Sequence, residues 1–487
     1  MVTLGGTVAR NARRVPGRDA LVAADQRWTW AETEELVARV AGVLRARGLQ
    51  HGDRFAVMAG NAPEHLVAQW AALRLGAIVV PVSARSAPPE LAHVLCDSGS
   101  RLLFVDADTA GVAASAGAPS VPLGDLVEAA REGWAPVTED QAAEGDDAFI
   151  TYTSGTTGAP KGVLVDHHRA VFAALAQNAS MGLRDGERYL HLSPFHHSGG
   201  VVYANAVTLL GGTHVLGGAF EPGATLAVIE REEITCLLGV PTVYQLLLRH
   251  PDLAKRDLTS WRTAIFGGAS MPGTTVTELL TRLPELELFQ LCGQTESGPV
   301  GLFSTTAQLR TRPDSTGHQP QPFLEHRVVD LDGVDVSPGV VGELLFRGES
   351  VMKGYWGRPE ATAEALRGGW LHTGDLVRVD GDGAMVLVDR LKDLIITGGQ
   401  NVYSAEVEAA LHAHPDVEDC AVVGEPHPDY GATVVAVVAV RDGATLTLSQ
   451  VREHCAGLLA HYKIPRRLVL RPVPRNATGK LQKHLLP

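Results

Sequence analysis

The feature that most constrains the fold is a regular alternation of short apolar runs with helical segments. Residues 29–48 have helical periodicity and end at Gly48, and the apolar run Arg54–Met58 follows. The alternation continues through a helical segment at 63–75, the run Ala77–Val82, a helix near 89–97 and the run Arg101–Asp106, and it returns at Thr235–Gly239, Thr263–Gly268 and Glu287–Gly293. Strands that alternate with helices predict a mostly parallel sheet with both faces covered.

A chain of 487 residues is too long for one ordinary core. Residues 327–389 contain short strands and Asp-Gly turns, which are typical of a small β subdomain. The sequence therefore predicts the α/β class. Its large N-terminal domain, residues 1–391, would have layered, mostly parallel sheets plus the β subdomain, and its small mobile α+β C-terminal domain would span residues 392–487. Within them we expect surface connections at 107–146 and 304–322, and helices at 404–413 and 448–461.

Composition narrows the possible partners and location. The net charge is −13 and no long basic run occurs, so nucleic acid and anionic membranes are poor candidate partners. No stretch approaches about eighteen uninterrupted apolar residues, so no membrane span is expected. The N-terminal residues lack the apolar segment of a secretory signal. Five scattered cysteines argue against a disulfide framework or a zinc site and favour a cytoplasmic location.

The stretch Thr151–Val163 reads TYTSGTTGAPKGV and follows an apolar run. Glycines let the backbone approach an anion, and backbone N–H groups, hydroxyls and an ammonium group can then surround phosphate charge. The spacing differs from the Walker loop. The stretch alone suits a phosphate-binding loop or a flexible surface loop about equally.

The full string resembles the phosphate loop of the acyl-adenylate-forming enzymes, which include acyl-CoA synthetases, peptide-synthetase adenylation domains and luciferases. The chain is most like an AMP-forming acyl-CoA synthetase. Further motifs occur in that family's order: SPFHHSG at 193–199, GVPTVY at 239–244, GGASMP at 267–272, LCGQTESG at 291–298, WLHTGDL at 370–376, DRLKD at 389–393 and PRNATGK at 474–480.

The resemblance implies a binding site for ATP and Mg²⁺. In it Thr295 meets the α-phosphate, Glu296 ligates the metal ion, and Asp375 and Arg390 bind the ribose or phosphate. The other nucleotide-binding residues implied are Thr153, Ser154, Gly155, Thr156, Thr157, Gly158, Lys161, Gly267, Gly268, Ala269, Leu291, Cys292, Gly293, Gly398 and Gly399. A single well-placed carboxylate is enough for Mg²⁺ when substrate phosphates and water complete the shell.

The resemblance also implies the catalytic groups and a moving domain. Lys480 would insert between the carboxylate and the α-phosphate, and Thr153, Lys161, Glu296 and His196 would assist. Lys392 matches the family hinge, and Gly398 and Gly399 match a loop that faces the acyl site after rotation. The acyl pocket would include His196, His197, Val201, Phe266, Gly268, Leu291 and Val300, a set that suits an aryl, fatty or polycyclic acid about equally.

The sequence departs from the family at Cys292, where a tyrosine or tryptophan usually stacks on adenine. Base–aromatic stacking is worth about 1–3 kcal/mol, so its loss weakens nucleotide binding by roughly 10- to 100-fold. One alternative is therefore a half-reaction enzyme that mainly forms the thioester from a preformed acyl-adenylate.

The main hypothesis is an acid–thiol ligase that makes an acyl-adenylate and transfers the acyl group to coenzyme A. An adenylation enzyme that loads a carrier protein would share every motif. SPFHHSG lacks the aspartate with which amino-acid-activating domains hold the amine, which favours a free acid. A catalytically silent protein that kept the fold is the remaining alternative. The particular acid, the pathway and the oligomeric state, monomer or homodimer, stay open.

Overall fold

The structure is a computed structural model that describes residues 2–24, 26–131, 133–153, 160–475 and 481–486. Its α-helices are α1 (Leu4–Arg14), α2 (Trp30–Ala46), α3 (Pro63–Arg74), α4 (Pro88–Ser98), α5 (Ala110–Ser115), α6 (Leu123–Arg131), α7 (His167–Ser180), α8 (Ser198–Leu210), α9 (Pro222–Arg231), α10 (Pro241–Arg249), α11 (Gly273–Arg282), α12 (Thr306–Thr311), α13 (Pro359–Ala365), α14 (Ser404–His412) and α15 (Leu448–Ala456).

The strands are β1 (Asp19–Ala23), β2 (Gln26–Thr29), β3 (Arg54–Met58), β4 (Ile78–Val82), β5 (Leu102–Val105), β6 (Val121–Pro122), β7 (Asp147–Thr153), β8 (Lys161–Asp166), β9 (Arg188–Leu190), β10 (Thr213–Leu216), β11 (Cys236–Gly239), β12 (Thr263–Gly267), β13 (Glu287–Gly293), β14 (Gly301–Ser304), β15 (Gln319–Pro320), β16 (Leu324–Val329), β17 (Val341–Gly348), β18 (Gly354–Tyr355), β19 (Leu371–Val379), β20 (Met385–Arg390), β21 (Ile395–Thr397), β22 (Gln400–Val402), β23 (Val417–His427), β24 (Gly431–Val440) and β25 (Arg467–Leu470).

Two large mixed sheets carry the N-terminal part of the chain. One has the order β15-β14-β13-β12-β11-β9-β10-β1-β2 and is parallel from β13 to β1. The other has the order β18-β8-β7-β4-β3-β5-β6 and is parallel from β7 to β6. Every residue of β4 is buried, as expected of a strand with both faces covered. The predicted layered, mostly parallel α/β fold is confirmed.

Local sequence signals determine where helix α2 begins and which of its faces is buried. Thr29 and Glu32 form a capping box at the start of α2. The face of α2 that carries Val37, Val40 and Leu44 is buried in the same apolar cluster as Phe55 of β3 and Trp70 of α3. The apolar residues that gave residues 29–48 their helical periodicity in the sequence are therefore those that pack into the core.

The described residues divide into two compact units. The first comprises those within Met1–Ser154, Pro160–His326 and Phe346–Leu371, and the second those within Arg327–Leu345 and His372–Pro487. The strands β16, β17, β19 and β20 form a four-stranded sheet, and β21 to β25 form a five-stranded one. Helices α14 and α15 pack on the latter through Val407, Leu411 and Val451. The α+β character expected of the tail is confirmed, whereas the boundary and hinge at Lys392 stay predictions.

Three local predictions were wrong. Residues 107–146 contain α5, β6 and α6, and α6 buries Leu123, Leu126 and Ala130 in the main core. The predicted loop at 304–322 includes α12 and β15. The helix predicted to reach residue 461 ends at Ala456, because Gly457 follows and its N–H turns back to the last carbonyls. Short helices rich in alanine and glycine carry too little periodicity to be recognised.

No helix among the described residues is long and apolar enough to cross a membrane. No disulfide joins any of the five cysteines, all of which lie within the described residues.

Candidate active site

The described residues at the two ends of the glycine-rich stretch belong to the antiparallel strands β7 and β8. The last pair in the antiparallel pairing of β7 with β8 joins Thr153 to Lys161. Directly paired residues project from the same face of a sheet. The Thr153 hydroxyl also donates a hydrogen bond to the Lys161 carbonyl over 3.4 Å. Two of the predicted phosphate-binding residues therefore stand side by side.

Some predicted site residues lie outside the described residues. They are Ser154, Gly155, Thr156, Thr157, Gly158 and Lys480. Their roles in phosphate binding and catalysis stay predictions.

Tyr355 joins Lys161 to the predicted metal ligand Glu296. Its strand β18 pairs with β8, which places Tyr355 opposite Val163. The Lys161 ammonium lies 4.9 Å from the centre of the Tyr355 ring, and the Tyr355 hydroxyl donates to Glu296 Oε1 over 3.0 Å. Burial and the Glu296 charge raise the pKa of Tyr355, so its hydroxyl stays protonated and keeps donating. Sequence reasoning missed this residue.

Thr295 and Glu296 stand in a tight turn directly after β13. The turn closes at Gly298, which has a φ of +79° and whose added Cβ would lie 2.5 Å from the Ser350 carbonyl oxygen. The Thr295 hydroxyl donates to the Ser198 hydroxyl over 3.1 Å. The turn is thereby attached to the first residue of α8, a contact that sequence reasoning also missed.

The predicted nucleotide-pocket residues lie at the ends of adjacent strands. Gly267 of β12 pairs with Leu291 of β13, and a Cβ on Gly267 would lie only 2.6 Å from the Leu291 carbonyl oxygen. Gly268 has a φ of +76°, and it and Ala269 are exposed. Cys292 and Gly293 end β13 and pair with β14. The geometry brings Gly267, Leu291, Cys292 and Gly293 together, and their contact with adenine stays a prediction.

His196 and His197 lie at the start of α8 with ring centres 4.6 Å apart. Burial, together with the charges of His197, His65 and Arg85, lowers the pKa of His196 to about 3. His196 is therefore a neutral imidazole at physiological pH. The preceding residue, Phe195, is 1% exposed, and its N–H donates to Asn61 Oδ1 over 2.9 Å, which fixes the segment.

A cavity of about 40 Å³ begins beside Thr295 and Ser198. Its other lining residues are Phe149, Thr151, Val163, Val165, Arg169, Ala170, Ala173, Val201, Val202, Asn205, Gly298 and Pro299. Of the predicted acyl-pocket residues, Val201 lines this cavity. Val300 is fully buried and Phe266 packs in an apolar cluster of the core. The contribution of His196, His197, Phe266, Gly268, Leu291 and Val300 to substrate binding stays a prediction.

In the second unit, Asp375 and Arg390 pair across β19 and β20. Arg390 Nε lies 2.7 Å from Asp375 Oδ1. The Asp375 carboxylate is therefore held by the other residue predicted to bind the nucleotide.

The short loop between β21 and β22 consists of Gly398 and Gly399. Both have positive φ, +56° and +75°, as a two-residue type I′ hairpin turn requires. The side chain of Lys392 is exposed in a short 3₁₀ turn before β21. The structure leaves the roles predicted for these three residues untested.

The sequence matches the AMP-binding enzyme family over residues 8–356 and the AMP-binding enzyme C-terminal domain over residues 406–480. It is 39% identical to feruloyl-CoA synthase of Amycolatopsis sp, over 99% of this chain and 97% of that one. It is 32% identical to a long-chain-fatty-acid–CoA ligase of Mycobacterium tuberculosis, over 100% and 98%. The structure matches o-succinylbenzoate CoA synthetase of Bacillus subtilis in complex with its acyl-adenylate intermediate, with a TM-score of 0.89, 29% identity and coverage of 99% and 97%.

The fold and these matches define an acid–thiol ligase of the adenylate-forming class. The chain belongs to the AMP-binding enzyme family, and it is an AMP-forming acyl-CoA synthetase. The structure is also similar to o-succinylbenzoate CoA synthetase of Bacillus subtilis in complex with ATP and a magnesium ion, with a TM-score of 0.86 and 29% identity. No group of three His, Cys, Asp or Glu side chains within the described ranges could hold a metal ion by itself. A single carboxylate such as Glu296 fits Mg²⁺, a hard cation that takes its remaining ligands from phosphate and water.

Proposed function

We propose that this protein converts an aryl carboxylic acid into its CoA thioester and carries out both half-reactions. The observation that supports the proposal is the chain of contacts from Lys161 through Tyr355 to Glu296, which brings a cation and a carboxylate near each other. The 39% identity with feruloyl-CoA synthase over nearly the whole chain favours an aryl acid over a fatty acid.

In the first half-reaction, a carboxylate oxygen of the acid attacks the α-phosphorus of ATP. The bond to the bridging oxygen of the β-phosphate breaks, and pyrophosphate leaves. Two anions must meet, so positive charge and hydrogen-bond donors are needed where charge develops. Lys161, the Thr153 hydroxyl and Lys480 supply them. Glu296 would hold Mg²⁺, which would supply further positive charge at the phosphates.

In the second half-reaction, the sulfur of coenzyme A attacks the acyl carbonyl carbon. The bond from that carbon to AMP breaks, AMP leaves and the thiol proton passes to solvent. Lys480 must leave the carbonyl before the thiol can reach it. Rotation of the C-terminal domain about Lys392 would withdraw Lys480 between the two steps. No protein nucleophile is required.

The presence of Cys292 in place of a stacking aromatic does not by itself prevent formation of the acyl-adenylate. Its thiol is half-buried at the end of β13, beside Gly293 and across from β14. A small polarisable side chain there still forms one wall of a slot for a planar ring. We therefore infer weaker ATP binding with the adenylation chemistry retained.

The test is to incubate the purified protein with ATP, Mg²⁺, coenzyme A and a pooled library of aryl and fatty acids. Mass spectrometry then measures acyl-AMP and acyl-CoA. We expect aryl-CoA products, and we expect Lys480→Ala to form none from the acid while still using a synthetic acyl-adenylate.

Fatty acyl-CoA as the main product would refute the aryl assignment. Acyl-AMP without thioester would identify an acceptor other than coenzyme A, such as a carrier protein. Thioester formation from the synthetic acyl-adenylate alone would establish the half-reaction alternative.

A further inference from the structure

Helix α4 carries two polar side chains that contact the chain on either side of the glycine-rich stretch. His93 and Asp97 lie four residues apart, so they project from the same face of the helix. Because a carbonyl oxygen can only accept, His93 donates from Nε2 to the Pro160 carbonyl, just before β8, over 3.1 Å. The Tyr152 hydroxyl of β7 donates to Asp97 Oδ2 over 2.7 Å. One helix therefore holds the end of β7 and the start of β8.

Asp97 also binds the segment that follows β18. Its second carboxylate oxygen, Oδ1, accepts a hydrogen bond from Arg358 Nη2 over 2.7 Å, and its carbonyl accepts one from Trp356 Nε1 over 3.2 Å. The Trp356 backbone N–H donates to the Gly162 carbonyl of β8 over 2.8 Å. In this sheet β8 lies between β7 and β18. Asp97 therefore links the chain on both sides of the strand that begins at Lys161.

Apolar packing holds α4 itself on this sheet. Leu91 and Val94 of the helix are buried in one cluster with Val80 of β4 and Ile150 of β7, and the Tyr152 ring packs against that cluster. Burial, together with the neighbouring Asp97 carboxylate, raises the pKa of Tyr152, so its hydroxyl stays protonated and keeps donating. Loss of one polar contact would therefore release a strand end while the helix stays in place.

The position of these contacts indicates which part of the nucleotide they affect. Thr295 is predicted to meet the α-phosphate, so Thr153 and Lys161 are left to the β- and γ-phosphates, which ATP carries and AMP lacks. Chain ends that are held in place before a ligand arrives bind it more tightly, because less conformational freedom is lost on binding. The contacts of α4 should therefore strengthen the binding of ATP and leave that of AMP unaffected.

We propose that His93 and Asp97 are positioning residues, which hold Thr153 and Lys161 for the β- and γ-phosphates of ATP. They act through Pro160 and Tyr152, the residues next to those two. This inference rests on the proposed function, because it assumes that the site binds ATP.

The test measures the dissociation constants of ATP and AMP by calorimetry in the presence of Mg²⁺, for the natural protein, Asp97→Leu and Tyr152→Phe. We expect each variant to raise the value for ATP by about tenfold, which is the loss of one hydrogen bond to a charged acceptor. The value for AMP should stay within about twofold, which also shows that the variants are folded. Tyr152→Phe leaves the Asp97–Arg358 ion pair intact, so a shift in both variants does not come from an unpaired Arg358. An unchanged affinity for ATP, or equal losses for ATP and AMP, would overturn the inference.

His93 offers a test by conservative replacement. His93→Leu removes the donor to Pro160 and should raise the dissociation constant of ATP by about fivefold, the usual value of a neutral hydrogen bond. His93→Gln keeps an N–H donor at a similar reach and should stay within about twofold of the natural protein. Equal losses in the two variants would show that the bond to Pro160 has no positioning role.

Asp185→Leu is the matched control for Asp97→Leu. Asp185 also accepts hydrogen bonds from two side chains, Arg14 over 2.9 Å and Arg18 over 2.7 Å, and these lie on other elements of the chain. This variant should leave both dissociation constants unchanged. A loss of ATP affinity equal to that of Asp97→Leu would show a general effect of removing a carboxylate and would also overturn the inference.

Nucleotide binding and product formation separate this inference from the proposed function. An ATP-specific loss in the variants, in a protein that makes no acyl-CoA, supports the positioning role and refutes the ligase proposal. Acyl-CoA formation with unchanged ATP affinity in every variant does the reverse. Failure of the natural protein to bind ATP refutes both.

Discussion

Replacing Tyr355 by phenylalanine removes one hydroxyl and keeps the aromatic ring next to Lys161. The hydroxyl donates to Glu296 Oε1 over 3.0 Å, and its raised pKa keeps it a donor throughout the range of an enzyme assay. Hydrogen bonds to a charged acceptor are worth about 1.5–3 kcal/mol. Glu296 is half-buried, so in the variant water can partly replace the lost hydrogen bond. We therefore use the lower end of this range, about 1.5 kcal/mol. Removing a residue that hydrogen-bonds to a metal ligand typically lowers metal affinity by about 10- to 100-fold, and 1.5 kcal/mol corresponds to about tenfold.

We therefore expect Tyr355→Phe to raise the Mg²⁺ concentration for half-maximal activity by about tenfold, at saturating ATP, and to lower the melting temperature by about 3 °C or less. Pyrophosphate release measured across a Mg²⁺ titration gives this value directly. Tyr203→Phe is the control, because the Tyr203 hydroxyl donates to Gln177 Oε1 over 2.8 Å, away from Glu296. An unchanged Mg²⁺ requirement in Tyr355→Phe, or an equal shift in Tyr203→Phe, would show that the Tyr355 bond does not organise a metal ligand.

Three further predictions concern nucleotide affinity, stability and pH. Cys292→Trp should lower the KM for ATP by roughly tenfold, as a restored stacking partner would, and an unchanged KM would mean that adenine does not lie against this position. Asp185→Asn should lower the melting temperature at pH 7 by about 2 °C or less. Arg18 and Arg14 lower the pKa of the Asp185 carboxyl to about 2. Asp185 is largely exposed, and exposed ion pairs of this kind contribute at most about 1 kcal/mol to stability. That difference should disappear as the pH falls from about 4 to below 2, where the carboxylate is protonated in both states, and its persistence there would contradict the ion-pair explanation. His196→Gln should leave the shape of the kcat/KM profile between pH 5 and 8 unchanged, since His196 titrates at about 3, and loss of an ionisation step would show that the histidine gains a proton in that range.

The fold could be predicted for elements in which the periodicity of apolar residues in the sequence matches the face that is buried in the structure. The buried run of β4 and the amphipathic period of α2 are visible in the sequence because each element packs as its local pattern demands. The helix α6 was missed because it is short, and Leu123 and Leu126 reveal its buried face only when the main core is known. Tertiary packing supplies what the local pattern lacks.

The candidate site was predictable where its residues are close in sequence. Thr153 and Lys161 stand in one motif, and the hairpin brings them together. Tyr355 could not be found in this way, because it reaches Glu296 through the pairing of β18 with β8, which joins distant parts of the chain.

The pairing of Thr153 with Lys161 at the end of the β7–β8 ladder has an entropic consequence for nucleotide binding. Bringing together two residues eight positions apart costs a flexible chain about 2 kcal/mol of loop-closure free energy. The hairpin meets this cost when the protein folds, because its backbone hydrogen bonds hold the two residues together before any nucleotide arrives. In the proposed nucleotide site, the free energy of ATP binding is then not reduced by bringing Thr153 and Lys161 together, which offsets part of what the absence of a stacking aromatic would cost.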